Sequence, residues 1–572
     1  MRRILLATAL TACIASGALA APAMRGLRTI SQPDGTRLQV IAYGDEHFSV
    51  MADATSGMCI TRDEATGFWR PMTDDEATLT LRQWNTARRA AAAETAMMAN
   101  NTPSTGHILV PVVPVQFADF SFTGDNGMPE HLDIIYNQVD ETRYAMTGAD
   151  NKDYYTSGLR QYFRDQSAGK FDPEFVIFEP VTLAKNRAYY GQNSGGTKDV
   201  NYTNLMREAI DSLVARGVLA DASRFDNDGD GTIDLIHFLY AGHGENTTGN
   251  TEEIWAKKGL YVTEADNGVK TGNFILVPEL GSYRNATVES AVGEKAHEMS
   301  HALGLPDFYS TNASTANDCY GMDGWSLMDQ GMYGGGTQIP ASYTLHERMM
   351  LGWCDEPEAV PAEGKVTLEP IGTAGKGLIL RNPANADEYL TFENHQPDNL
   401  WDKMWGNASY STYTRARGLL ITHVDYQAGA WTSNTVNNTP AHQRCTPLPA
   451  DGELQTYSQV LSQEITASAF IANHFADVYP GSGNVKQLNP LANTMAIWFT
   501  GDSIDIDITN IEILANGAME ITFGTPEDPI PDGIETLNVA GTSAKKRNRV
   551  VLKEGRFYIQ GRDLYGRKCD EE

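Results

Sequence analysis

Residues 297–307 read His297-Glu298-Met299-Ser300-His301-Ala302-Leu303-Gly304-Leu305-Pro306-Asp307. At 3.6 residues per turn the two histidines fall on one helical face, so both imidazoles can point at one metal ion. A catalytic zinc takes three protein ligands and keeps one position open, so a third donor is required. Asp307 is the expected one: Gly304 can end the helix in a left-handed conformation that swings the chain back beneath the metal, and Pro306 prevents the helix from resuming. Glu298 adjoins the first ligand but projects to its side, where it would serve as general base toward a water at the open position. The expected chemistry is hydrolysis of a peptide bond.

The bare His-Glu-x-x-His pattern also arises by chance, so the flanking residues decide its weight. Gly304 and Asp307 extend it in the metzincin manner, with the third ligand six residues past the second histidine. Gly324-Trp325-Ser326-Leu327-Met328-Asp329 resembles a Met-turn, which makes Met328 the candidate hydrophobic floor under the metal. The segments Phe225–Gly231, Ala241–Gly244, His297–Tyr309, Trp325–Asp329 and Leu351–Trp353 occur in the order and spacing of secreted bacterial metallopeptidases similar to immune inhibitor A. The resemblance runs from about residue 27 to residue 525, through Gln32–Thr36 and Gly44–Glu46 near the start and Gly418–Tyr426 later. It implies secretion, a zinc-dependent endopeptidase, bound calcium and a metzincin-like α+β catalytic domain.

Calcium is also suggested by the residues themselves. Asp226, Asp228, Asp230 and Asp234 alternate around Gly231 as oxygen ligands do in an EF-hand-like loop, with Thr232 placed to offer its backbone carbonyl. His237 stands where an EF-hand has its bidentate glutamate, so the loop is an incomplete one. The competing reading is a solvated acidic turn before a strand. Close carboxylates repel without a cation, which favours a structural calcium.

A chain of 572 residues with 41% hydrophobic residues exceeds one core and is expected to be multidomain. A net charge of −29 argues against a nucleic-acid partner, because phosphate contacts need clustered Lys and Arg. The N-terminus reads as a signal peptide of residues 1–20, with Arg2-Arg3, an apolar run and small residues Ala18 and Ala20 before Ala21. Leu10-Thr11-Ala12-Cys13 also fits a lipoprotein box, so anchoring at the outer membrane through Cys13 is the alternative to release from the cell. No later run is long enough to span a bilayer. Protein or peptide substrates and a monomeric state are expected.

The expected architecture is a β prodomain and linker over residues 21–104, a metzincin-like catalytic domain over 105–356, and a β-sandwich-like domain over 357–525. A linker and tail over 526–572 resemble the C-terminal sorting signals of some secreted bacterial proteins. Helices are expected over Gly158–Ala168, on a Leu159, Tyr162, Phe163 face, and over Asn204–Leu219, on a Leu205, Ala209, Ile210, Leu213, Val214 face. An alanine-rich stretch with Arg88-Arg89 reads as a helix and cleavable linker. The six cysteines form no CxxC and do not suggest a disulfide framework. Cys59, in the prodomain-like part, is a candidate latency thiolate, set against an ordinary buried strand cysteine. His423 and Asp425, two apart on a strand, could hold a second metal but read better as structural, as do His237 and His243. Where several metzincins carry a tyrosine two residues past the Met-turn methionine, this chain has Gln330, so the residue that stabilises the oxyanion is unassigned. The alternative function is a secreted binding or adhesion protein with a structural zinc; a general base at Glu298 would be superfluous there.

Overall fold

The computed structural model describes residues 21–80, 102–139, 158–396, 401 and 417–524, with short breaks inside these ranges, and strand pieces at 144–147, 153–156 and 550–563. The signal-peptide and Cys13 readings, the alanine-rich linker and the proline-rich linker lie outside the described residues. Residues up to Gly524 form one compact unit and the tail from Thr525 a second. In the tail, Val550–Lys553, Arg556–Ile559 and Arg562–Asp563 pair as a small antiparallel sheet.

The first unit opens with a five-stranded antiparallel meander: β1 (Arg28–Ser31), β2 (Arg37–Asp45), β3 (Phe48–Asp53), β4 (Cys59–Arg62) and β5 (Trp69–Pro71). The turn residues at Asp34-Gly35, Ser56-Gly57 and Thr66-Gly67 supply its reversals, with positive φ at all three glycines.

The central sheet begins with β6 (Gly106–Gln116), followed by helix α1 (Leu159–Gln166), β7 (Phe171–Ile177), β8 (Val181–Thr182) and helix α2 (Tyr202–Ala215). Next come β9 (Thr232–His243), β10 (Lys257–Leu260), β11 (Val269–Gly281) and helix α3 (Gly293–Leu303). Strand β9 lies between β6 and β11, parallel to both, while β10 closes one edge antiparallel to β11. Both faces of β9 are apolar because both are covered. Leu235 and Leu239 pack with Ala296 and Met299 of α3, whereas Ile233, Ile236 and Phe238 pack with Leu205, Ala209 and Ile210 of α2. The expected Leu159, Tyr162, Phe163 face of α1 is buried. Helix α2 buries Leu205, Ala209, Ile210 and Leu213 as the spacing requires, but it stops at Ala215 and leaves Val214 42% exposed.

Helix α4 (Leu345–Met350) leads into two further sheets. These comprise β12 (Glu358–Ala359), β13 (Gly364–Leu368), β14 (Leu378–Asn382), β15 (Asn385–His395), β16 (Gly418–Asp425), β17 (Cys445–Pro447), β18 (Ile508–Ile513) and β19 (Met519–Phe523). The larger has the order β12-β14-β15-β16-β17 and the smaller β13-β19-β18. Leu378, Phe392 and Ile421 of the larger share a core with Ile511, Met519 and Ile521 of the smaller. On its other face, Ile379, Tyr389, Leu420 and Val424 belong to the core that carries α3. Strands β18 and β19 form a hairpin that reverses at Gly517.

Candidate active site

Helix α3 is buried along its whole length and carries His297, Glu298 and His301. It begins at Gly293 because the segment Gln330–Tyr333 presses on it there: a β-carbon at 293 would sit 2.0 Å from the Met332 carbonyl oxygen. It ends at Gly304, whose φ of 112° no other residue type adopts cheaply. The chain then turns and brings Asp307 back under the helix. His297 Nε2 lies 3.5 Å and His301 Nε2 3.2 Å from Asp307 Oδ1.

The hydrogen bonds on the far side of each ring determine what these atoms can do. His297 Nδ1 lies 2.8 Å from the Leu327 carbonyl oxygen and His301 Nδ1 lies 2.8 Å from the Leu305 carbonyl oxygen. A carbonyl only accepts, so each Nδ1 carries the proton and each Nε2 presents a lone pair. Burial also lowers His297 below the ordinary imidazole value, which disfavours a second proton. His297 Nε2, His301 Nε2 and Asp307 Oδ1 are buried and have no hydrogen-bond partner. Three such acceptors facing one another repel unless a cation lies among them, and two imidazole nitrogens with one carboxylate oxygen form the donor set of a catalytic zinc.

The supporting residues come from far along the chain. Asn434 donates from Nδ2 to Asp307 Oδ2 at 2.6 Å and accepts the Asp307 N–H at 2.7 Å. Met328 is fully buried, and its carbonyl accepts from Phe308 N at 2.9 Å. Ser326 Oγ donates to Glu347 Oε1 at 2.6 Å, which ties this turn to the capping box of α4 formed by Thr344 and Glu347. Lys258, on the edge strand β10, is buried; burial lowers its ammonium to about 8 against the pull of Glu298.

Residues 21–25 lie in the site. Ala21 N–H donates to Glu298 Oε1 at 2.7 Å, and Trp255 Nε1 donates to the Ala21 carbonyl at 2.8 Å. Tyr333 Oη donates to the Pro22 carbonyl at 2.5 Å. The Gln330 amide donates to the Ala23 carbonyl at 3.3 Å and accepts from Arg25 N at 3.1 Å, much as a neighbouring strand would. Gln330 and Tyr333 thus contact a peptide main chain beside Glu298, a role for which their sequence positions gave no sign.

Other expected site residues are placed differently. Cys59 does not join the donors around His297. It faces Ala52 across β3 and β4, and burial raises its thiol, so the thiolate is disfavoured. The carboxylates of Asp226, Asp228 and Asp230 do gather, within 4.8 Å of one another. Asp226 accepts from the N–H groups of Gly229, Asp230 and Gly231. Asp234 is not in that group; its carboxylate accepts from Asn227 N at 2.6 Å and Asn227 Nδ2 at 2.8 Å. Thr232 N donates to Asp230 Oδ1, which closes the loop. His423 pairs with Glu388 at 2.9 Å and Asp425 with His442 at 2.8 Å, so these two residues share no site.

Comparison with known proteins adds a relationship to this geometry. Residues 99–350 match the immune inhibitor A peptidase M6 catalytic domain. Over that span the chain is similar to that family. It is 29% identical over 269 residues to the pre-pro-metalloprotease PrtV of Vibrio cholerae serotype O1, a match covering 41% of this chain and 29% of PrtV. It is 26% identical over 250 residues to immune inhibitor A of Bacillus thuringiensis subsp. alesti, covering 36% of each chain. The chain therefore spans about a third of the length of these relatives. The matched span contains every residue of the His297, Glu298, His301 and Asp307 constellation. Among the described residues no helix is long and apolar enough to cross a membrane.

Proposed function

We propose that this chain is a secreted zinc endopeptidase, made in latent form, that hydrolyses peptide bonds in proteins. The observation that carries the reading is the convergence of two imidazole nitrogens and one carboxylate oxygen with no hydrogen-bond partner, next to Glu298. His297, His301 and Asp307 would hold a zinc ion, which would supply Lewis-acid polarisation of the scissile carbonyl and acidify the attacking water. Glu298 would act as general base toward the attacking water and return the proton to the leaving amine. Tyr333 and Gln330 bind the substrate main chain, as they bind Pro22, Ala23 and Arg25. Latency rests on residues 21–25, which fill the cleft and engage the base itself. Asp226, Asp228 and Asp230, with the Thr232 carbonyl, hold a structural calcium, and Asp234 supports the loop through Asn227.

The deciding experiment incubates the zinc-loaded full chain, after maturation, with an unfolded protein and compares it with Glu298→Gln. The wild type should cleave, while the variant, at equal zinc content, should be slower by roughly 100-fold or more. Undiminished cleavage by Glu298→Gln would remove Glu298 from the mechanism.

A further inference from the structure

The segment in the cleft ends in an arginine whose pocket is built for a cation. Arg25 Nη1 lies 3.5 Å from Asp323 Oδ2, and the two side chains are only 14% and 0% exposed. The guanidinium carbon lies 5.3 Å from the centroid of the Tyr457 ring. Asp323 is held firmly: its backbone adopts a positive φ of 41°, its N–H donates to Asp329 Oδ2 at 2.9 Å, and His474 Nε2 approaches its own Oδ2, the one facing Arg25, at 3.2 Å. None of these walls belongs to the N-terminal segment. Asp323 precedes the Met328 turn, and Tyr457 and His474 come from the C-terminal part of the unit. They stay with the enzyme when residues 21–25 leave.

The direction of the segment follows from two contacts. Ala21 N meets Glu298, which is where a leaving amine must be to receive its proton. From there the chain runs past Tyr333 at Pro22 and Gln330 at Ala23 to Arg25. Ala21 thus stands in the place of the first residue after a cleaved bond, and Arg25 in that of the fifth.

We propose that Asp323 and Tyr457 form a subsite of the active enzyme for a Lys or Arg side chain at the fifth residue on the leaving-amine side of the scissile bond. The proposal rests on the peptidase reading above. Without a bound cation, the Asp323 carboxylate keeps His474 but loses the guanidinium that Arg25 provided. A basic substrate residue restores that pairing and stacks on the Tyr457 face, whereas an acidic one meets like charge in a poorly solvated place.

The test digests a denatured proteome with the matured, zinc-loaded full chain and reads every cleavage site by mass spectrometry. Lys and Arg should exceed Asp and Glu at the fifth downstream position by roughly tenfold over background, and Asp323→Asn should abolish the excess. An unbiased fifth position in the wild type, or a bias that survives Asp323→Asn, overturns the subsite while leaving the peptidase intact. Absence of any cleavage by the wild type overturns the peptidase reading and the subsite together. Asp323 is buried and the variant risks misfolding, so the wild type is also inhibited with Ala-Pro-Ala-Met-Arg and its Ala-ending and Glu-ending analogues. The Arg peptide should be the strongest inhibitor and the Glu peptide the weakest, by about tenfold or more end to end. Equal potency, or no inhibition by any of the three, counts against the subsite.

Discussion

At the scale of single residues, the site is a matter of which nitrogen carries a proton. The carbonyls of Leu327 and Leu305 assign the tautomers of His297 and His301, and Asn434 orients Asp307. His301→Ala should abolish zinc retention through dialysis as well as activity, and zinc kept at full occupancy would refute the ligand assignment. Asn434→Ala removes no ligand, yet it leaves Asp307 free to rotate; zinc affinity should fall by roughly 10- to 100-fold, measured by competition with a chromogenic chelator. His297, Glu298, His301 and Asp307 were legible in the sequence because helical period and a glycine stop are local rules. Asn434 was not, since it meets Asp307 across 127 residues and no local pattern marks it. Cys59 shows the converse: a chemically suggestive residue type in the expected region, placed by strand pairing away from the donors.

At the scale of elements, two devices hold the helix and the turn beneath it. Gly304 ends α3 at a φ of 112°, so Gly304→Ala should cost about 1–3 kcal/mol in chemical denaturation and lower zinc affinity by displacing Asp307. Glu347 caps α4 and holds Ser326, and burial raises its carboxyl from 4.5 to about 7. The folded state therefore binds this proton more tightly than the unfolded chain. Its contribution to stability is fully present below pH 4.5 and is lost as pH rises to about 7, by about 3 kcal/mol at most. Glu347→Gln should flatten that part of the stability-versus-pH curve between those limits; an unchanged slope would show that the carboxyl titrates normally. Helix existence and facing residues were readable from spacing in α1 and α2, while ends were not. The α2 pattern continued to Leu219, but the helix stops at Ala215 and exposes Val214.

At the scale of the whole unit, the first residues described reach Glu298, and the larger C-terminal sheet shares a core with its helix. Arg25→Ala removes the ion pair to Asp323; on the proposed latency, the full-length variant should acquire activity sooner than the wild type in a time course, and an unaltered lag would count against the N-terminal block. Calcium chelation should lower the melting temperature before it removes zinc, and an unchanged melting temperature would dismiss the Asp226 loop as an ion site. The division into separate catalytic and β domains could be imagined from the sequence because strand signals begin after Trp353; shared burial of Tyr389, Leu420 and Val424 with α3 is a long-range fact with no local signature. The Asn434 contact with Asp307 carries this further. The span recognisable by family comparison, residues 99–350, ends well before Asn434. Recombination that transplanted only that span would part Asp307 from the amide that orients it, so the heritable unit of this constellation is longer than its most recognisable stretch.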